Sequence, residues 1–384
     1  MRYCPNCGCE MPDGTRFCSN CGWHDGSADK SQSAGYAESI INHINDYVGN
    51  DRPAQLNWRV LFTDVFKHHT TAEAEDIFIC GTRRTTPQLW AVSKDWPHPW
   101  LYSRVFLMFA IAFAMLWTCC NVFGNPNALP GMIVVGAFTV PLSLVILFLE
   151  VNAWRDVSLY KVVQMFLVGG CASLVATLLI YSLFGNFGMG YFGALLTGII
   201  EEVGKVVIVL WFLRRMDHLS ILKGLLVGAS VGAGFAAFES AGYAMQPLIA
   251  FLQQSGYMAA YGQVSDASSM MDAINSNIML RGVLAPGGHV TWAAVSGAAL
   301  VIAGKARQVM DASLLTDSRF LRLFAIPVVL HALWDCPLAA IGIELMLVPL
   351  LLTVTIWIVV LILINMGLAE VERICGDAHI ASAE

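Results

Sequence analysis

The sequence predicts an all-α polytopic membrane protein, with about eight transmembrane helices behind a small zinc ribbon. Three observations predict it. Of 384 residues, 57% are hydrophobic and only 13% charged, against about 25% charged in a soluble domain, and mean hydropathy is +0.62. From about residue 103 the chain runs as successive apolar blocks of spanning length. The first 25 residues carry two CxxC pairs.

The pairs are Cys4-Pro-Asn-Cys7 and Cys18-Ser-Asn-Cys21, ten residues apart. Four thiolates on two knuckles suit tetrahedral Zn2+ at about 2.3 Å per bond. Gly8 and Gly22 follow the knuckles, where tight turns need backbone freedom. A segment this short has no core of its own, so the metal would supply its folding energy. Cys9 is a fifth cysteine without a CxxC partner. Disulfide pairing is the alternative; a reducing cytoplasm and the doubled CxxC argue against it. The segment resembles the short zinc ribbons that head many prokaryotic membrane proteins. That likeness implies a structural or protein-docking role.

Residues 1–25 are thus expected as ribbon, and 26–36, rich in Gly and Ser, as a flexible linker. Residues 37–100 are expected as a small cytoplasmic module. Ile40, Ile41, Ile44 and Val48 recur at helical spacing, as do Leu61, Phe62, Val65 and Phe66. His68 and His69, followed by Glu73, Glu75 and Asp76, read as a solvated loop or helix start rather than a metal site. Ile77–Cys80 reads as a short strand or buried turn.

The membrane domain is expected over 101–370, with spans at about 103–123, 131–150, 162–184, 192–213, 222–245, 285–304, 321–342 and 345–366, and a tail at 371–384. Pro337 and Pro349 are expected to bend the last two. The first span lies too far from the start to be a cleaved signal peptide. The odd-numbered loops contain one cation, Arg281. The even loops carry Arg155 and Lys161, then Arg214, Arg215 and Lys223, then Lys305, Arg307, Arg319 and Arg322, and the tail carries Arg373. This alternation puts both termini in the cytoplasm. The net charge of −6 includes no basic stripe with interleaved aromatics, so no nucleic-acid partner is expected.

Four consecutive spans hold ionisable residues at depth. The fourth reads Glu201-Glu202-Val-Gly-Lys205. One charge at the bilayer centre costs roughly 2.5–3.5 kcal/mol on insertion scales, and a neighbouring like charge adds repulsion. Lys205 lies one turn from both glutamates. A Glu–Lys pair that merely offsets burial would explain one glutamate, not two. The fifth span carries Phe235 and Glu239 among Gly228, Gly232, Ala236 and Ala237, small residues that permit close helix approach. The sixth opens with His289-Val-Thr-Trp292, and the seventh holds His331-Ala-Leu-Trp334-Asp335. A lone membrane histidine commonly serves helix–helix hydrogen bonding. Two histidines, three glutamates, an aspartate and a lysine on four successive spans point to a functional site. At 1.5 Å per residue, Glu201 lies roughly 14 Å from the outer end of its helix, Glu239 roughly 10 Å and His289 roughly 6 Å. Access from the non-cytoplasmic side, or laterally from the outer leaflet, is expected.

A buried glutamate can act as general base for water, and a neighbouring histidine can orient that water or stabilise an oxyanion. Such a set suits amide hydrolysis without a protein nucleophile. There is no HExxH, no GxGD and no GxSG; Ser296 stands in Ala-Val-Ser-Gly. Glu-Glu-x-x-Lys at 201–205, Phe-x-x-x-Glu at 235–239, His289-x-x-Trp292 and His331-x-x-Trp-Asp335 resemble, in order, the four motifs of the PrsW family. That family is similar to the CAAX-prenyl-protease and bacteriocin-processing group of glutamate-dependent intramembrane proteases. The resemblance covers about 100–370, and the ribbon lies outside it. It implies that Glu201 or Glu202 activates water while the other pairs with Lys205. It implies that Glu239 helps orient or protonate that water. His331 and Asp335 would stabilise the oxyanion or hold the carbonyl, with His289 assisting. It also implies a membrane-anchored protein substrate, such as an anti-sigma factor-like regulator, in a prokaryotic cell membrane. Glu and His sets can bind Zn2+, but these lack a recognised ligand spacing, so the sequence leaves a metal at this site open.

Two other functions compete. A proton-coupled transporter would use the same groups as a relay. Related halves with broken helices are common in transporters, whereas here the ionisable spans are confined to the second half. A non-catalytic sensor or scaffold would make the ribbon the working part; the complete ionisable set argues against it.

Overall fold

A computed structural model describes residues 2–3, 10–11, 27–88, 91–93, 95–185, 190–260, 267–337 and 346–383. Cys4, Cys7, Cys18 and Cys21 lie outside the described residues. Near them, Arg2–Tyr3 (β1) pairs antiparallel with Glu10–Met11 (β2), Arg2 opposite Met11. The rest of the described chain is helices and their connections. It divides into two compact units, Met1–Ala54 and Gln55–Glu384.

In the first unit, α1 spans Ser27–Val48. The linker expected at 26–36 is therefore mostly the start of a helix. Gly35 costs a helix only about 1 kcal/mol relative to Ala, and a helix already formed extends cheaply, because nucleation is the costly step. Asn45 closes the helix end, donating from Nδ2 to the Arg52 carbonyl at 3.0 Å and accepting from Asn50 at 2.9 Å. The module expected over 37–100 is thus divided: residues 37–54 belong to this unit, the remainder to the second.

That remainder holds α2 (Val60–Thr63) and α3 (Thr71–Phe78). Thr70 and Glu73 form a reciprocal capping box that starts α3. Ile77, in the last turn of α3, and Cys80, just after it, are both buried, so Ile77–Cys80 is a helix end and turn rather than a strand. The segment is tied to the next helix. Tyr102 Oη donates to the Leu61 carbonyl at 3.0 Å, Arg104 donates to the Lys67 carbonyl at 3.2 Å, and the His69 ring stacks on Trp100 at 3.8 Å.

The helices that follow are α4 (Leu101–Asn121), α5 (Leu129–Val151), α6 (Leu159–Gln164), α7 (Gly170–Phe184), α8 (Tyr191–Leu213), α9 (Ile221–Ala260), α10 (Ser268–Leu284), α11 (His289–Arg307), α12 (Ser318–Asp335) and α13 (Leu347–Ala383). A π turn, Met165–Gly169, joins α6 to α7 into one rod. Six stretches among the described residues are long and apolar enough to cross a membrane: α4, α5, α6–α7, α9, α10–α11 and α13. The chain is therefore a multi-pass membrane protein. The other two helices, α8 and α12, stand where the fourth and seventh spans are expected. Each carries three charged residues: Glu201, Glu202 and Lys205 on α8, and Arg319, Arg322 and Asp335 on α12.

Three boundaries differ from the sequence expectation. The seventh helix stops at Asp335 rather than near 342, because Pro337 forces Cys336 into extended backbone (φ −64°, ψ 135°). The loop expected at 245–285 is largely helical. α9 runs on to Ala260, about 60 Å at 1.5 Å per residue, and α10 folds back against it. The tail expected at 371–384 continues α13 to Ala383. There Glu370 is fixed by Lys305 and by the backbone N–H of Ile221, so the last turns of α13 begin from an anchored point.

The most enclosed helices are α9 and α11, which pack along each other. Their approach is close: a methyl group on Gly228 would strike the Ala293 carbonyl, and one on Gly232 the His289 carbonyl. α8 packs on α12 similarly at Gly198, where a Cβ would lie 3.0 Å from Ala332 N. These contacts set the distances within the polar centre.

Candidate active site

All seven ionisable residues predicted on the four spans meet in one cluster. On α8, Glu201 and Glu202 lie one turn before Lys205. Lys205 Nζ is 2.6 Å from Glu202 Oε1 and 4.0 Å from Glu201 Oε2. Glu202 and Lys205 are fully buried. The ammonium also meets Nδ1 of His289 at 2.8 Å and lies 4.5 Å from the centre of the Phe235 ring. An ammonium only donates, so Nδ1 of His289 accepts and its Nε2 carries the proton. That Nε2 faces Glu239 Oε2 at 3.0 Å.

On α12, His331 Nδ1 is 2.9 Å from Glu202 Oε1. Its Nε2 faces Glu201 Oε2 at 3.6 Å and Asp335 Oδ2 at 3.4 Å. The Trp292 ring stacks on His331 with centroids 4.5 Å apart and meets the edge of His289 at 5.1 Å. Trp292 thereby holds both imidazoles, as its position one turn after His289 on α11 allows.

The two adjacent glutamates differ sharply. Glu202 Oε1 receives Lys205 and His331 together. Glu201 Oε2 is buried without a hydrogen-bond partner and has only longer-range charges around it. Glu202 Oε2 is also unpartnered, but it lies on a side chain already anchored through its other oxygen. Exposure rises towards one edge of the cluster. Asp335, the last residue of α12, has a side chain 34% exposed, against 10% for Glu201.

One member was missed as a site residue. Arg281, on α10, pairs with Glu239, donates from Nε to Ser240 Oγ at 2.8 Å, and lies 4.6 Å above the Tyr243 ring. It completes a chain of contacts from Arg281 through Glu239, His289, Lys205 and Glu202 to His331. A signal existed: Arg281 is the single cation in the odd-numbered loops and therefore an exception to the charge alternation.

One ligand atom each from Glu201, His289 and His331 lies within 4.8 Å of the others, near enough for one metal ion. The donor set fits a catalytic zinc-type site of two histidines and a glutamate. Glu202 behind His331 and Glu239 behind His289 supply the carboxylate partners that metal-bound imidazoles usually have. Lys205, bonded to His289, is the resident competitor. Sequence spacing could not reveal this set, because its members come from three helices.

Comparison with curated proteins and with solved structures finds no match. The family model described as PrsW family intramembrane metalloprotease matches residues 158–364, which takes in every helix of the cluster and more than half of the chain. The chain belongs to the PrsW family of intramembrane proteases.

Proposed function

We propose that this protein is an intramembrane endopeptidase that cuts a membrane-anchored protein with water activated by Glu201. The observation that carries the assignment is the division of labour between neighbours: Glu202 is occupied by Lys205 and His331, whereas Glu201 Oε2 is free beside His331 Nε2. A water within reach of both atoms would give its proton to Glu201 as it attacks the carbonyl carbon. The same proton can then pass to the departing amide nitrogen, so the carboxylate is regenerated.

His331 is the complementary group. Glu202 fixes its Nδ1, which turns Nε2 towards the reacting atoms. In the charged ring Nε2 donates to the developing oxyanion, with Glu202 and Asp335 as flanking negative charge. Lys205 sets Glu202 and His289 together. Glu239 fixes the tautomer of His289 and is itself held by Arg281. A metal held by Glu201, His289 and His331 would take up the free oxygen of Glu201 and Nε2 of His331, and would then polarise the carbonyl and activate water in place of the base and oxyanion roles of those two residues.

In this reading all eight apolar blocks cross the membrane, α8 and α12 among them, because their charges are paired inside the bundle rather than shown to lipid. Both termini are cytoplasmic, as the loop cations suggest. The CxxC pairs hold a structural Zn2+, and an anti-sigma factor-like protein is a suitable substrate.

The test uses purified protein in bilayers with single-span membrane proteins from its host. Cleavage lost in Glu201→Gln, with the fold retained, supports the proposal. Cleavage that survives Glu201→Gln would overturn the assignment of the base. No cleavage, together with solute or ion flux in liposomes, would favour a proton-coupled transporter. Chelation gives a separate readout: lost cleavage with metal released, measured by elemental analysis, would assign a metal to the site. Arg281→Met is expected to lower kcat more than it raises KM, with Arg281→Lys restoring part of the loss.

A further inference from the structure

We propose that Trp58, Phe62 and Phe66 form a membrane-interface anchor, which inserts the segment before α4 into the lipid headgroup region. The proposal does not depend on the chemistry of the polar cluster. Large apolar side chains in water are unfavourable, yet Phe66 is 93% exposed, Trp58 55% and Phe62 53%. Phe62 lies in α2, Trp58 in the turn before it and Phe66 in the turn after it.

What covers these side chains follows from where the segment is fixed. Leu61 and Lys67 are bonded through their carbonyls to Tyr102 and Arg104, in the first turn of α4. α4 has 21 residues and is apolar enough to cross a membrane. Its length of about 31 Å at 1.5 Å per residue matches the hydrocarbon core. Its first turn therefore sits at the boundary between lipid and water. One turn further on, the outward residues of α4 are Phe106, Leu107, Met108 and Ile111, all exposed and suited to lipid. In the proposal the aromatic residues, tied to the first turn of α4, meet lipid at the headgroup level.

The charges agree with a lipid partner. Arg59 and Arg104 accompany the aromatic residues, and the Arg59 guanidinium lies 5.6 Å from the centre of the Trp58 ring; Lys67 is paired with Asp64 at 2.7 Å. Trp and Tyr are enriched at this depth, where an amphipathic ring meets both phases. Basic residues beside them attract anionic headgroups. At the C-terminal end of α8, Arg215 likewise lies over the exposed Trp211, at 3.9 Å.

The experiment measures Trp58 directly. The full chain is placed in nanodiscs containing anionic lipid, and its fluorescence is compared with that of Trp58→Phe, so that the difference reports Trp58 alone. The expected result is a blue-shifted component, quenched by lipids brominated near the headgroup and several-fold less accessible to acrylamide than a free indole. Phe66→Trp in the Trp58→Phe background provides a second reporter and is expected to behave alike. Quenching by acrylamide as for a free indole, without quenching by brominated lipid, would overturn the proposal. So would protection from both quenchers, which would mean that protein rather than lipid covers these side chains.

Discussion

Two kinds of buried carboxylate occur in the second unit, and their surroundings separate architecture from chemistry. Glu150, at the end of α5, accepts three backbone N–H groups from the start of α4: Trp100 at 2.8 Å, Leu101 at 2.9 Å and Tyr102 at 2.9 Å. Glu370 on α13 does the same for α9, accepting from Ile221 N at 2.8 Å while pairing with Lys305. Both serve as caps for helix starts, whose first N–H groups have no partner within the helix. Glu201 is as buried as either, yet its Oε2 has no partner. Burial alone thus does not mark a functional carboxylate. The mark is an oxygen without a partner beside His331 Nε2, on a glutamate whose neighbour Glu202 carries the anchoring contacts.

The largest expected effect tests that distinction at the free oxygen. Glu201→Gln should lower the cleavage rate by about 10²–10⁴-fold, the usual range for a lost general base. Thermal stability in detergent should barely change, because Glu201 anchors little. A large loss of stability with this variant would place Glu201 among the architectural carboxylates instead.

Glu202→Gln should behave differently. It removes the charge that Lys205 and His331 share, and breaking a buried pair costs about 3–5 kcal/mol. Activity and melting temperature should fall together, and activity should recover in part where the protein is stabilised by lipid. Equal stability for the two variants would erase the division between the neighbours.

Much of this was legible in the sequence, and the rest was hidden for physical reasons. The apolar blocks give every helix from α4 to α13 except α10 an approximate place, because hydropathy over about twenty residues reports directly on burial in lipid. The seven ionisable residues were legible for the same reason: charge at depth is costly enough to be conspicuous. The contrast between Glu201 and Glu202 was not legible. Adjacent helical residues point about 100° apart, as 3.6 residues per turn requires, and only the position of α12 decides which one meets His331 Nδ1. In the sequence Arg281 is a loop charge, since nothing local shows that α10 folds back on α9. Glu150 and Glu370 do not stand out in the sequence, because a carboxylate near a span end is ordinary until its backbone partners, 48–50 and 149 residues away, are known.

A smaller effect tests the architectural side. Glu150→Ala should destabilise the protein by about 1–3 kcal/mol for each N–H left without a partner. Glu150→Gln, which keeps one acceptor oxygen, should recover part of this. Cleavage per folded molecule should stay unchanged in both, as measured by activity normalised to the folded fraction. A specific activity loss in Glu150→Gln would mean that the α4–α5 end communicates with the cluster.

The smallest effect concerns the same bond made in water. Glu73 accepts the backbone N–H of Thr70 at 2.7 Å, but at an exposed helix start. That hydrogen bond holds its carboxyl below the ordinary glutamate range. A depressed carboxylate binds fewer protons folded than unfolded, so its contribution is present above the ordinary pKa and is lost as pH falls through the folded one. Hydrogen-exchange protection of the α3 amides, corrected for intrinsic rates, should therefore decline slightly across that acidic window. In Glu73→Gln the decline should be absent. Water can replace the carboxylate at Thr70, whereas it cannot readily reach the N–H groups that Glu150 accepts. Glu73→Gln should consequently cost far less than Glu150→Gln. If the two substitutions cost the same, solvent exclusion is not what gives the buried caps their weight, and the free oxygen of Glu201 loses its special standing with them.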